Sequence, residues 1–401
     1  MDRKGNGLAD SQRATIIILD SLGVGALPDA DQYGDRHTNT LAHVCRAVGG
    51  LALPHLTAMG LGNLGHFSGI PPAASPSACH GRLGEISAGK DSTTGHWELM
   101  GLVTEKPFPT YPQGFPRPLM AAIEDAIGTK TLGNVAASGT DIIQQLGDRH
   151  LETAYPIVYT SVDSVFQVAA HEDVIPVNRL YTICETAREI LVPPHGICRV
   201  IARPFTGSSG AYRRTAARRD FTLSPPGKTL LNLVKDAGHA VIGVGKIGDL
   251  FAGSGLTRSV YARDNGESVD RTLEAMGDLT TGIVISNLVD FDMHYGHRND
   301  PRGYGQALTA FDRRIPELLA KLRPGDLLVI TADHGCDPTT EGTDHTREFV
   351  PLLLWGEPLR TGTDVGNRDS MADLGCTLHD YFGLDGNLRG ESFWKQIARK
   401  D

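Results

Sequence analysis

One segment, Leu327 to Glu348 (LLVITADHGCDPTTEGTDHTRE), constrains this chain more than any other. A continuous apolar and β-branched run, Leu327 to Thr331, follows Pro324-Gly325-Asp326 and reads as a strand buried on both faces. Asp333 and His334 stand just past its C-terminal end, and a second Asp-His pair, Asp344-His345, follows eleven positions later. In open α/β sheets the rim at the carboxyl ends of the strands is where ligands bind. A single DHG triplet would read as a turn, since Asp and Gly are turn residues. Two such pairs in one segment point instead to divalent cations, whose ordinary ligands are carboxylate oxygen and neutral imidazole.

Two further runs repeat the pattern. Ala14 to Leu19 (ATIIIL) ends on Asp20 and a Gly-rich stretch, while Gly282 to Val289 runs into Asp290-Phe-Asp292-Met-His294-Tyr-Gly-His297. Three such strands in one sheet would line up Asp20, Asp292 and Asp333 along a single rim. With His297, His334 and His345 they make six ligands, enough for two divalent ions with open positions, a recurring device for phosphoryl transfer. Gly84 to Gly101 crowds Lys90, Asp91, Ser92, Thr93, Thr94, His96 and Glu98 into nine positions at the start of a helix. Alone, that segment reads as a helix cap. Beside cations, a hydroxyl there becomes a candidate nucleophile, held where helix N–H groups can meet a phosphate.

A chain of 401 residues is long for one core, so two domains are expected. The texture changes between residues 102 and 221: proline-dense stretches, short strands, and Arg199, Arg203, Arg213, Arg214, Arg218 and Arg219 within 21 positions. This region reads as an inserted α+β cap domain whose arginines suit an anion. Residues 13–101 and 222–401 then form the catalytic core, an α/β unit in which strands and helices alternate around a mostly parallel sheet, and residues 1–12 a disordered lead-in. Within the core, Thr38 to Val48 and Gly303 to Leu322 each read as one helix.

The net charge of -9 and pI near 5.9 argue against a general nucleic-acid binder. No apolar run approaches a membrane span and the first residues lack the apolar core of a signal peptide, so a cytoplasmic protein is expected. The six cysteines form no CxxC pair, which fits reduced thiols; Cys336 reads as a small loop filler.

The segments DSLGVGALPDA, AGKDSTTGHWE, TSVDSVFQVAAHE, RVIARPF, NLVDFDMHYGHR and TADHGCDPTTEGTDHTREFVP, in that order, closely resemble the phosphopentomutases of the alkaline phosphatase superfamily. The resemblance implies an alkaline-phosphatase-like core with an inserted cap domain. It further implies two manganese ions and reversible transfer of phosphate between C1 and C5 of ribose or deoxyribose, through a phosphorylated enzyme and a sugar 1,5-bisphosphate that also acts as activator. Carried over by position, Asp292, His297 and His345 hold one ion, and Asp20, Asp333 and His334 with the nucleophile Ser92 hold the other. Substrate contacts fall on Asp163, Arg199, Ile201, Arg218 and Lys246. The resemblance implies a role in nucleoside salvage, and a monomer or weak oligomer is expected. Ser92 stands where most of the family has threonine and Cys336 where it often has asparagine, so a mutase of another sugar phosphate, or a metal-dependent phosphatase, stays open as an alternative.

Overall fold

The computed structural model describes residues 12–161 and 163–400. Of the expected lead-in, residues 1–12, all but Gln12 lie outside the described residues; the Gln12 carbonyl accepts the Gly282 N–H at 2.9 Å. Two compact units divide the chain: the first takes in residues up to Lys106 and from Pro225 onward, the second is Pro107–Ser224.

In chain order the strands are β1 (Arg13–Leu19), β2 (Cys79–Leu83), β3 (Leu132–Ala136), β4 (Ile157–Thr160), β5 (Val165–His171), β6 (Arg199–Thr206), β7 (Arg213–Arg214), β8 (Arg219–Thr222), β9 (Ala240–Val244), β10 (Arg258–Val260), β11 (Gly282–Leu288), β12 (Leu327–Thr331), β13 (Val350–Trp355) and β14 (Asp364–Arg368). The first unit holds an eight-stranded sheet in the order β10-β9-β11-β1-β12-β13-β2-β14. From β10 to β12 every pairing is parallel, whereas β13 runs antiparallel to both β12 and β2. Every residue of β1, β11 and β12 is buried, as mostly apolar strands are when covered on both faces, and Arg13, Ser286 and Asn287 are buried with them. Leu19 pairs with Leu288 and Ile18 with Thr331, so these three strands end level with one another and their trailing carboxylates share one rim.

The helices follow their local signals with one exception. Asn39 caps Thr40–Ala47 by accepting the Ala42 N–H at 3.0 Å, and Gly49 and Gly50, both at positive φ, stop it. Asn39→Ala should cost about 1 kcal/mol, read as a lowered midpoint in chemical denaturation. The single helix expected over Gly303 to Leu322 is in fact two, Pro301–Asp312 and Ile315–Lys321. Pro316 lacks the N–H that would bond the Asp312 carbonyl, and its ring would clash there, so the amphipathic pattern continues while the helix cannot.

The second unit is built on a sheet in the order β3-β4-β5-β6-β7, with β8 also paired to β6. Helices Arg117–Ile127 and Val177–Ile190 bury their apolar sides with Phe166, Val168, Val200 and Ala202 of the sheet. Residues of the alternate parity, including Ile157, Tyr159, Ala169 and Phe205, join the core that Ile142 and Ile143 of helix Gly139–Thr153 enter.

Candidate metal and nucleophile site

Asp20 directly follows β1, Asp333 lies two residues beyond β12, and Asp292 sits in a π-helical turn, Phe291–Tyr295, after β11. The first turn of chain beyond β1 is strained: Ser21 has φ 73°, a left-handed conformation that costs a non-glycine residue about 1–2 kcal/mol. Its N–H donates to Asp333 Oδ1 at 3.1 Å and its hydroxyl meets Tyr304 Oη at 3.2 Å, so the strained turn ties β1 to β12 at the rim.

The six expected ligands come together in two triads. His297 Nε2 lies 3.2 Å from Asp292 Oδ2 and 3.1 Å from His345 Nε2, and His345 Nε2 lies 3.4 Å from Asp292 Oδ1. His334 Nε2 lies 3.4 Å from Asp20 Oδ1 and 3.3 Å from Asp333 Oδ2. The triads adjoin, with the His334 and His345 rings 3.9 Å apart, and Asp292 also falls with His334 and His345 in one ligand-spaced group. The second Asp-His pair splits. His345 enters the cluster, but Asp344 faces outward and pairs with Lys90 at 3.3 Å.

Helix Ser92–Leu99 brings the hydroxyl. Its N-cap is Asp91, whose Oδ1 accepts the N–H groups of Thr93 at 3.0 Å and Thr94 at 3.2 Å. Ser92 is therefore the first helical residue and not the cap, and its Oγ lies 3.1 Å from His334 Nε2. The expectation of helix N–H groups waiting for a phosphate needs correction here, because the cap carboxylate already engages two of them. The helix approaches the rim closely: a Cβ at Gly95 would stand 2.1 Å from the Asp333 carbonyl oxygen. Gly95→Ala must push the helix away from Asp333, so a loss of about 1–3 kcal/mol and weaker metal binding are expected, measurable by denaturation and by titration calorimetry.

Burial and mutual charge set the protonation of this cluster. Burial raises the Asp20 carboxyl, and the carboxylates of Asp333 and Asp292 raise it further. Burial also pushes Asp333 up, but His334 and His96 outweigh it and hold that carboxyl well below the usual range. In Asp292, burial is likewise outweighed, by His345 and His297. Asp20 Oδ1, Asp292 Oδ1 and Asp333 Oδ2 are buried without a hydrogen-bond partner among the described residues. Uncompensated carboxylate oxygens at the focus of three imidazoles are what a divalent cation would satisfy, and the donor set of oxygen and nitrogen suits one.

Several residues at the site carried no separable signal in the sequence. Nδ1 of His96, four positions from Ser92 on the same helix face, bonds the Ser92 carbonyl at 2.7 Å and stands 3.1 Å from Asp333 Oδ2. Asn287, wholly buried in β11, donates from Nδ2 to Asp20 Oδ2 at 2.9 Å and lies 3.2 Å from His96 Nε2. Together they bridge the carboxylates of Asp20 and Asp333. Cys336 is buried and its thiol raised by that burial, but it is placed as more than a loop filler: Sγ lies 3.9 Å from His297 Nδ1, and Asp292, His297 and Cys336 form a ligand-spaced group. Of the expected substrate residues, Lys246 precedes helix Ile247–Leu250 at the end of β9 in the first unit. Asp163, Arg199, Ile201 and Arg218 belong to the second unit, the middle pair on β6.

Residues 12–386 match the Metalloenzyme superfamily. The phosphopentomutase of Acetivibrio thermocellus is 58% identical over 386 residues, 96% of this chain and all of its own. That of Caldanaerobacter subterraneus is 53% identical over 97% of this chain and 99% of its own. The chain belongs to the phosphopentomutase family. It is an isomerase of the phosphotransferring kind and a metalloenzyme, with an α/β core. A solved protein from Pyrococcus horikoshii, PH0037, aligns over 94% of this chain and 99% of its own at 16% identity and a TM-score of 0.49, too loosely to bear on function. No helix among the described residues is long and apolar enough to cross a membrane.

Proposed function

We propose that this phosphopentomutase interconverts (deoxy)ribose 1-phosphate and (deoxy)ribose 5-phosphate through a phosphoserine on Ser92 and a sugar 1,5-bisphosphate. The observation that carries the reading is Ser92 Oγ at 3.1 Å from His334 Nε2, where two carboxylate–imidazole triads adjoin. In this reading Asp292, His297 and His345 hold one Mn²⁺, and Asp20, Asp333, His334 and Ser92 hold the other. Bound there, the two ions supply Lewis acidity at the hydroxyl and offset charge on the phosphoryl group. Ser92 Oγ hands its phosphoryl group to the free hydroxyl of a sugar monophosphate, then takes the other phosphate from the resulting bisphosphate. A trace of 1,5-bisphosphate would prime the serine, which makes that compound the activator. His96 and Asn287 keep Asp333 and Asp20 oriented throughout, and Asp91 holds the helix that aims Ser92. Asp163, Arg199, Ile201, Arg218 and Lys246 serve as substrate contacts, the cations taking the phosphate that does not react. Such a reaction fits nucleoside salvage in the cytoplasm.

Phosphorus NMR of the enzyme with Mn²⁺ and ribose 1-phosphate, ribose 5-phosphate and their deoxy forms tests the proposal. Phosphate should move between C1 and C5 with little inorganic phosphate released. Release of inorganic phosphate without positional exchange would make the protein a phosphatase. Exchange confined to another sugar phosphate would make it a mutase of a specialised pathway.

A further inference from the structure

Strand pairing in the second unit gathers charge on one sheet face. Ile201 of β6 pairs directly with Asp220 of β8 and with Gln167 of β5, so all three side chains share a face. Arg199 and Arg203, two residues either side of Ile201, point the same way, as does Arg218, two residues before Asp220. Arg218 grips Asp220 with both Nε and Nη2 at 2.7 Å, and Arg199 Nη1 stands 3.8 Å from the same carboxylate. Arg203 Nε donates to Gln167 Oε1 at 3.0 Å.

A carboxylate in the midst of arginines that meet a phosphate could play either of two parts: a plug that the substrate displaces, or a strut that aims the cations. The layering decides between them. Asp220 is 17% exposed, while Arg218 and Arg199 are 44% and 37% exposed, so the carboxylate lies beneath the guanidinium groups and an arriving anion meets the arginines first. A plug would also need to leave, yet Asp220 is fixed in a strand whose ladder pins it opposite Ile201. Its bond to the Nε–Nη2 edge of Arg218 fixes the plane of that guanidinium and turns the Nη1 end away from the carboxylate, where a second acid group can bind.

We infer that Asp220 is a positioning residue for the non-reacting phosphate of the pentose phosphate, acting through Arg218; the inference rests on the reading that Arg218 contacts substrate. The three arginines hold the Asp220 carboxyl below its usual range against the opposing effect of burial, in keeping with a permanent anion under the cluster.

A double-mutant cycle tests it with purified Mn²⁺-loaded protein and ribose 5-phosphate as probe. Asp220→Asn should raise KM about 10-fold, the scale of one charge-assisted hydrogen bond, with a much smaller change in kcat. Asp220→Glu, which keeps the charge, should recover part of the loss, and in an Arg218→Ala background Asp220→Asn should add nothing. Metal content and a melt that stays cooperative separate this from a folding defect: the metal content should not move, and the melting temperature should fall only by the modest stability of the lost ion pair. A lowered KM in Asp220→Asn would show a plug, and full additivity with Arg218→Ala would show that Asp220 does not act through that arginine; either overturns the inference. Arg218→Ala with an unchanged KM would instead sink the reading beneath it.

Discussion

Ser92→Ala is expected still to bind both metal ions, the one beside residue 92 somewhat more weakly for want of one ligand, and to lose mutase activity by on the order of 10⁴-fold or more, the scale reached when a covalent nucleophile is removed. The separation of the two effects follows from geometry. Asp20, Asp333 and His334 form a triad without the hydroxyl, and the first turn of helix Ser92–Leu99 is held by Asp91 and not by Ser92. Thr93→Ala should keep much of the activity, since the bond that Thr93 gives to the cap carboxylate comes from its backbone N–H, which the substitution leaves in place. Mass spectrometry after priming with a sugar 1,5-bisphosphate reads the outcome directly. Phosphate on Thr93 or Thr94 with none on Ser92 would remove the serine from the mechanism.

Arg347→Met should cost about 3–5 kcal/mol of stability, the range measured when one member of a buried ion pair is removed and the other is left behind. Arg347 is 2% exposed and pairs with Glu85 Oε2 at 2.9 Å and Asp29 Oδ2 at 3.0 Å. It also donates to the carbonyls of Glu85, Ser87 and Gly89, so one guanidinium ties down the chain that leads into Asp91 and Ser92. Glu98 anchors the same stretch from the helix side, accepting the N–H groups of Ile86 at 3.0 Å and Ser87 at 2.7 Å. The defect should depend on pH. Burial already raises the Glu85 carboxyl well above 4.5, against the pull of Arg347, and loss of the arginine raises it further. A carboxyl raised in the folded state stabilises the fold below its unfolded value and loses that contribution as pH climbs through the folded value. Wild type and variant lose this contribution in parallel until pH reaches the wild-type folded value, so the variant should lie nearest to wild type in acid and fall away as pH rises through and above that value. Denaturant midpoints across that range measure it, and Glu85→Gln in the Arg347→Met background should return part of the loss. A constant gap between variant and wild type at every pH would mean that Glu85 is not the group left stranded.

Much of the first unit was legible because its signals are short-range. Apolar runs, interrupted only by Ser286 and Asn287 in the second, announce strands buried on both faces, and β1, β11 and β12 lie where ATIIIL, GIVISNLV and LLVIT placed them. Each run is followed within a few residues by Asp20, Asp292 or Asp333, so the ligand set could be drawn from three local patterns. Strands β2 and β14, by contrast, are CHGRL and DVGNR, with no apolar run to mark them. They are strands because a ladder holds them at the far side of the sheet, and a ladder joins residues hundreds of positions apart. The break at Pro316 was visible but outweighed by an amphipathic pattern that ran on past it.

The sequence by itself determined that buried strands end in metal-capable side chains, that a hydroxyl opens a helix near Lys90 and Asp91, and, through six ordered segments, which family of enzymes the chain resembles. Only the tertiary structure decided the partners. It set β1 between β11 and β12, split Asp344 from His345, and placed His96 and Asn287 as the bridge between Asp333 and Asp20. It made Asp91 the helix cap and Ser92 the first helical residue, seated Arg347 beneath the loop before the nucleophile, and put Asp220 under Arg218. The reason is physical: periodicity and turn chemistry act between neighbours in the chain, whereas a buried charge takes whichever partner the fold brings within about 3 Å, and that partner leaves no local mark in the sequence.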